Sequence, residues 1–215
     1  QHETEYCNED CIGYNQLNFL YRTSNMPELY QYTHHLELAE VDKEGINIQG
    51  VLEEFRDNIA EKVEEGKGLI LISPNKGNGK TTWACIMMNR YFKEIALTNN
   101  LEVRGKFISV PEFLQSLKDD FDREEKEMER FKKHIKQADI VIWDDIGAEA
   151  PTKWAKEVLY NYINYRISNN KTQIYTSNKG KEELEELLGE RIFSRMLGQC
   201  KGVVFRGKDQ RRGGR

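Results

Sequence analysis

From Ile48 to Glu65 the apolar residues Val51, Leu52, Phe55, Ile59 and Val63 recur at the spacing of one helix face, and Gly66 and Gly68 close that segment. The period then changes. Leu69 to Ser73 (LILIS) is a short continuous apolar run, the pattern of a parallel strand covered on both faces. A Gly-rich loop follows, after which Ala84, Met88, Tyr91, Phe92 and Ile95 return at helical spacing. Val103 to Val110 predicts a strand, Pro111 opens a helix in its first turn, and a long charged helical stretch runs to about Gln137. Ile140 to Trp143 is a second buried strand, and Trp154, Val158, Leu159, Tyr162, Ile163 and Ile167 mark the next helix. Gln173 to Thr176 predicts a strand, Lys181 to Leu188 a helix and Val203 to Phe205 a last short strand. Residues 1 to about 45 carry little sustained periodicity and read as irregular. Strands alternating with helices specify an α/β fold, with a five-stranded parallel sheet flanked by helices.

Composition narrows the function classes. A chain of 215 residues suits one domain with an appendage. No stretch approaches the ~20 apolar residues that cross a bilayer, and QHETEY lacks the apolar run of a secretory signal. A membrane protein and a secreted precursor are therefore set aside in favour of a cytoplasmic one. Gln1 is read as an internal start with more chain upstream. The net charge of −4, from 32 basic and 36 acidic residues, argues against a uniformly basic wrapper of nucleic acid. The tail from Arg206 to Arg215 is locally basic, as a solvated end or as a phosphate contact. Of the four cysteines, Cys85 falls within an apolar helix pattern and reads as a small core residue. Cys7 and Cys11, with His2 nearby, are either half of a Zn²⁺ site completed upstream or incidental thiols.

The chemistry concentrates in Ser73-Pro-Asn75-Lys76-Gly77-Asn78-Gly79-Lys80-Thr81-Thr82, between the LILIS strand and a helix. The pattern G-x-x-x-x-G-K-[ST] is met at Gly79, Lys80 and Thr81, while Pro74 replaces its first glycine. Glycines there let consecutive backbone N–H groups turn inward around phosphate oxygens, and the helix start adds its positive dipole end. Residues Asn75 to Thr82 are thus expected to cradle a nucleoside triphosphate. Lys80 would reach the β and γ phosphates, and the Thr81 hydroxyl would hold Mg²⁺. The matching acidic pair ends the strand Ile140-Val-Ile-Trp-Asp144-Asp145. Asp144 would complete the Mg²⁺ shell and Asp145 would orient or activate the attacking water. Together the two motifs specify a nucleoside triphosphatase. At the tip of the next strand, Ser177 and Asn178 either face these carboxylates or cap the helix that begins near Lys181.

GNGKTT, WDDIGAE, TSN and GERIFSRM occur in that order and resemble helicase loaders of the DnaC/DnaI type, a branch of the AAA+ P-loop ATPases. The likeness runs from about Asn25 to Arg206. It implies an ATP-dependent loader in DNA replication that uses ATP/ADP and Mg²⁺ and meets a hexameric replicative helicase and single-stranded DNA. It also implies self-association through ATP at subunit interfaces and a lid that is short or absent. By position, Asn178 becomes the sensor beside the γ phosphate. Arg195, with Arg191 second, becomes the finger that enters a neighbour's site; the alternative for Arg191 is an ion pair with Glu185 or Glu186. Lys118 and Phe121 fall where such loaders grip DNA, although burial against Leu117 is an equal fate for Phe121. Residues 1–45 then correspond to a remnant of a helicase-binding or zinc module with its linker, 46–206 to the ATPase domain and 207–215 to a basic tail. Transposition helper ATPases share these motifs, and a nucleotide-dependent adaptor that regulates a host loader is a further alternative.

Overall fold

The computed structural model describes residues 11–42, 47–119, 125–148 and 150–209. Its centre is a parallel sheet in the order β2-β3-β4-β1-β5. The strands are β1 (Gly68–Ile72), β2 (Gly105–Ser109), β3 (Ile140–Asp144), β4 (Thr172–Ser177) and β5 (Cys200–Val204). β1 lies between β4 and β5, with Leu69 opposite Ile174 and Lys201. Every residue of β1 is buried, which is why the strand reads as a continuous apolar run rather than an alternating one.

Alternate strand residues serve two separate cores. On one face Leu69, Leu71, Phe107, Ile142 and Ile174 pack under α1 (Ile12–Ser24), α2 (Ile48–Asp57), α3 (Ile59–Glu64) and α4 (Lys80–Ile95). On the other face Ile70, Ile72, Ile108, Val141, Trp143 and Tyr175 pack under α5 (Val110–Asp119), α6 (Glu125–Gln137) and α7 (Lys153–Ser168). The same face also carries α8 (Lys181–Leu188) and α9 (Glu190–Gln199). The period of two along each strand thus assigns its side chains to opposite layers. Cys85 is fully buried on α4, as its place in the apolar pattern predicts, and burial pushes its thiol pKa well up.

Several elements differ from the sequence reading. The amino-terminal region is not irregular: Ile12–Ser24 forms α1, which buries Leu20, Tyr21 and Ser24. Its inward face is partly polar, ending in Ser24, whose hydroxyl donates to the Tyr21 carbonyl, so the apolar pattern is short. Asn25, at φ 62°, ends it in the left-handed conformation. The helix expected over 48–65 breaks at Asn58, whose backbone N–H and side-chain amide both turn back to the Glu54 carbonyl. The last strand begins at Cys200, directly after α9, a helix that its short apolar face (Ile192, Phe193, Met196) did not announce.

One buried charge holds the amino-terminal end of the sheet. Arg166 of α7 is fully buried and donates to the carbonyls of Ile135, Ala138, Asp139 and Thr172. It thereby joins the end of α6 to the starts of β3 and β4. The opposite, carboxyl ends of β1, β3 and β4 converge on the Gly-rich loop, where ligands of open parallel sheets gather.

Candidate nucleotide site

The loop that follows β1 is built on its own polar side chains. The buried Ser73 hydroxyl accepts the Asn75 N–H at 3.0 Å and the Asn78 side-chain amide at 2.7 Å. Lys80 Nζ donates to the Asn75 carbonyl and to Asn78 Oδ1, each at 3.0 Å. Gly77 and Gly79 take φ values of 70° and 94°, which side-chain-bearing residues rarely adopt. Gly79 then caps α4, and the helical ladder starts with the Trp83 N–H on the Gly79 carbonyl. The N–H groups of the first turn are left facing the loop as an anion-binding end. Pro74 is accommodated without a cis peptide bond.

The carboxylates stand directly across from this turn. Thr81 Oγ1 donates to Asp144 Oδ1 at 2.8 Å, and Thr176 Oγ1 donates to the same oxygen at 2.6 Å. Burial raises the Asp144 carboxyl above its ordinary pKa, and the neighbouring Asp145 charge adds to the rise while the two hydroxyls oppose it. Such a desolvated carboxylate, with a hydroxyl beside it, suits a divalent cation. Asp145 adopts a positive φ of 54°. Three bonds from β4 and its tip hold that turn: Thr176 Oγ1 accepts the Asp145 N–H at 3.0 Å, the Thr176 carbonyl accepts the Ile146 N–H at 2.9 Å, and Asn178 Nδ2 donates to Asp145 Oδ1 at 2.8 Å. The capping alternative for Ser177 and Asn178 is not realised, because α8 is capped by Gly180 without a side-chain bond. The Ser177 hydroxyl instead donates to the Ile146 carbonyl at 2.6 Å.

A cavity of about 530 Å³ joins these groups, lined by Gly77 to Thr82, Asp144, Asp145 and Asn178. Its other wall, Leu29, Tyr30, Thr33 and Leu36, comes from the amino-terminal region and had no counterpart in the sequence reading. Asn89 of α4 secures that wall by donating to the Tyr30 and Thr33 carbonyls. A second strap arrives from beyond β5. The Arg206 and Gly207 N–H groups donate to the buried carboxylate of Asp42, and the Gly207 carbonyl accepts from the side-chain amides of Asn75 and Asn78. Asp209 comes to rest over Gly77, where an added Cβ would lie 1.9 Å from its Oδ1. The inward N–H groups, the lysine, the hydroxyl–carboxylate pair and the open volume fit a nucleoside triphosphate with Mg²⁺.

The remaining candidate residues lie elsewhere. Arg191 and Arg195 are exposed on α9 and do not line the cavity. Arg191 does not pair with Glu185 or Glu186; it bonds Tyr160 of α7. Lys118 is exposed on α5 and borders a small cleft of about 130 Å³ that also touches Asp145, Gly147 and Ala148. Phe121 and Cys7 fall outside the described residues. Cys11 is half-buried ahead of α1, and among the described residues no group of three or more His, Cys, Asp or Glu side chains is placed to hold a metal. The zinc expectation therefore gains no support. No helix among the described residues is long and apolar enough to cross a membrane.

Comparison with known proteins places this geometry. The replicative helicase loader DnaC of Escherichia coli K12 is 29% identical over 158 residues, which cover 72% of this chain and 57% of that protein. The replicative helicase loader DnaI of Bacillus subtilis 168 is 26% identical over 152 residues, 63% of this chain and 48% of that one. The chain thus spans about half the length of the curated relatives it matches. A crystal structure of the DnaC helicase loader superposes with a TM-score of 0.67 at 23% identity, covering 84% of this chain and all of that one. The profile of the bacterial DnaA ATPase domain matches residues 49–202. That match takes in the phosphate loop, the paired aspartates, Asn178 and the α9 arginines, so the chain belongs to the bacterial DnaA ATPase domain family, with the AAA+ P-loop fold.

Proposed function

We propose that this chain is the ATPase part of a replicative helicase loader, one that binds ATP with Mg²⁺, assembles with a hexameric helicase and contacts single-stranded DNA. The observation that carries the nucleotide part is the Thr81–Asp144–Thr176 relay beside the Asp145–Asn178 pair, at the mouth of a Gly-rich loop. Likeness to the DnaC and DnaI loaders supports the replication role.

Each residue then has a task. The loop from Asn75 to Thr82 binds the phosphates through backbone N–H groups, and Lys80 exchanges its two loop acceptors for phosphate oxygens. Thr81 and Asp144 would hold Mg²⁺, which would supply neutralisation of the phosphate charge. Asp145 orients water, and Asn178 fixes the carboxylate that does so. Arg195 completes the site of a neighbouring subunit, with Arg191 beside it, which makes hydrolysis slow in an isolated monomer and faster on assembly. Lys118, at the small cleft that touches Asp145, meets DNA, and Phe121 keeps its expected role as a second DNA contact. The ATPase domain of 46–206 takes in residues 12–42, which pack on its sheet and wall its cavity, and the strap of 206–209. It acts in the cytoplasm, the residues ahead of α1 lead toward the helicase-binding part, and those beyond the strap are a basic tail.

Light scattering of the chain with a replicative helicase and single-stranded DNA, in ATP, in ADP and without nucleotide, tests this reading. ATP-dependent assembly on single strands that is lost in Lys80→Ala is the expected result. Assembly on duplex DNA without helicase would replace the loader with a transposition helper. Nucleotide binding without assembly of any kind would replace it with an adaptor.

A further inference from the structure

Arg191 and Arg195 lie one turn apart on the exposed face of α9, and both reach the same side chain of a different helix. Arg191 Nη2 donates to Tyr160 Oη at 2.7 Å, and its guanidinium carbon lies 3.9 Å from the Tyr160 ring centroid. The Arg195 guanidinium carbon is 5.8 Å from that centroid. The two arginines are thus held unequally. Arg191 is stacked and hydrogen-bonded, whereas Arg195 touches only the outer reach of the ring.

We infer that Tyr160 is a positioning residue that anchors Arg191 to α7 and leaves Arg195 as the arginine that extends to a neighbouring subunit's nucleotide. The inference deepens the proposed function and rests on its claim that the site is completed between subunits. The physical argument has two parts. Two guanidinium groups at i and i+4 repel each other, and each carries much rotamer freedom that is lost on reaching a phosphate. The electron-rich face of Tyr160 fixes one charge flat against α7 and lowers the repulsion felt by the other. In addition, the planar fork of Arg191 spends one donor on the phenol oxygen, so its direction is set before any neighbour arrives. An anchored arginine beside a free one presents a defined positive edge, with the free one as the mobile member.

The test compares Tyr160→Phe, Tyr160→Leu, Arg191→Ala and Arg195→Ala. Tyr160 is half-buried, and leucine retains its apolar volume, so folding is checked by thermal melting before use. Two readouts follow. The first is the protein concentration at which ATP, but not ADP, drives assembly. The second is turnover in mixtures with Lys80→Ala subunits, which do not assemble alone and turn over no nucleotide of their own, yet offer their arginine edge to the ATP bound by wild-type neighbours. Tyr160→Leu is expected to raise the assembly midpoint in ATP and slow assembled turnover by roughly tenfold or more, the scale on which misplacement of a reacting group acts. The affinity of the dilute protein for a fluorescent ATP analogue should not move. Tyr160→Phe, which keeps the stack and loses the bond, should fall between, and Arg195→Ala should cost more than Arg191→Ala. Tyr160→Leu placed in the Lys80→Ala subunit should poison wild-type neighbours, as Arg195→Ala placed there does. Normal assembly and turnover of Tyr160→Leu beside a defective Arg195→Ala would overturn the role of Tyr160 alone. Normal behaviour of Arg195→Ala, or no ATP-dependent assembly of the wild-type chain, would remove the shared-site reading and this inference with it.

Discussion

The candidate nucleotide site and the arginine edge of α9 are two polar regions of one molecule, built on opposite plans. At the candidate nucleotide site Lys80, Asp144 and Asp145 are buried or half-buried and have partners from their own chain. Lys80 is held by the loop, Asp144 by two hydroxyls and Asp145 by Asn178. On α9 the charges are exposed, and a single tyrosine restrains them. The first region is preorganised in the monomer: a ligand has only to replace bonds already made, and little ordering remains for binding to supply. Among the described residues neither Arg191 nor Arg195 forms an ion pair; both contact Tyr160 instead. A planar cation in that state suits a charge brought by another molecule.

The largest test of that contrast is Asp144→Asn. Loss of the carboxylate should cost about 10²–10³-fold in turnover, the scale of one removed electrostatic contact at a reacting centre, read from Mg²⁺-dependent phosphate release. The same change should leave the ligand-free fold as stable or more so, by up to about 1 kcal/mol, because a desolvated charge disappears. The pH dependence carries the sign. Burial raises the folded pKa of Asp144 above its ordinary value of 3.8, so the folded state holds the proton more tightly than the unfolded one. Its contribution to stability is full below that ordinary value and is lost as pH rises through the raised folded pKa. Denaturant melts from pH 3 upward should show that fall in the wild type, and the difference between wild type and variant should flatten above the window. A variant less stable than the wild type at neutral pH would mean that Asp144 is held by more than its two hydroxyls.

Next in size is Thr176→Val. It strips one donor from Asp144 and leaves the Asp145 N–H without its acceptor in a turn at positive φ. A destabilisation of about 1–3 kcal/mol is expected, the cost of a buried polar group losing its partner, with Thr176→Ser restoring most of it. Equal melts for the valine and wild-type proteins would show that the turn needs no support from β4. The smallest expected effect falls on the other region: Arg195→Ala should shift the stability of the ligand-free monomer by less than about 0.5 kcal/mol, as exposed unpaired side chains do. A larger loss would break the contrast, since it would make Arg195 part of the fold rather than of an interface.

How much of this was legible beforehand follows the range of the interactions. The phosphate loop, the aspartate pair and Asn178 were readable because each sits at a strand end, where short-range pattern fixes both the element and the direction in which its last side chains point. Thr176 was visible only as a neighbour of Asn178, and its two hydrogen bonds, given to the Asp144 carboxylate and accepted from the Asp145 N–H, depend on the pairing of β3 with β4. α1 was missed because its buried face is short and ends in a serine, and α9 because its three buried side chains span a single turn and a half. The wall of Tyr30, Thr33 and Leu36, and the strap from Arg206 to Asp209, have no local signature at all. They reach the site through Asn89, Asp42, Asn75 and Asn78, partners far away along the chain.

The sequence by itself determined the α/β alternation, the five strands, the phosphate loop and the acids opposite it. Hydrophobic period and glycine placement act over a few residues and survive without knowledge of the rest. Only the tertiary structure decided which terminal segments wall the cavity, that Asp144 is desolvated, and that Arg191 is stacked closely on Tyr160 while Arg195 reaches only the outer range of its ring. Those outcomes depend on which distant groups share one low-dielectric space, and a linear pattern of polar and apolar residues carries no record of that.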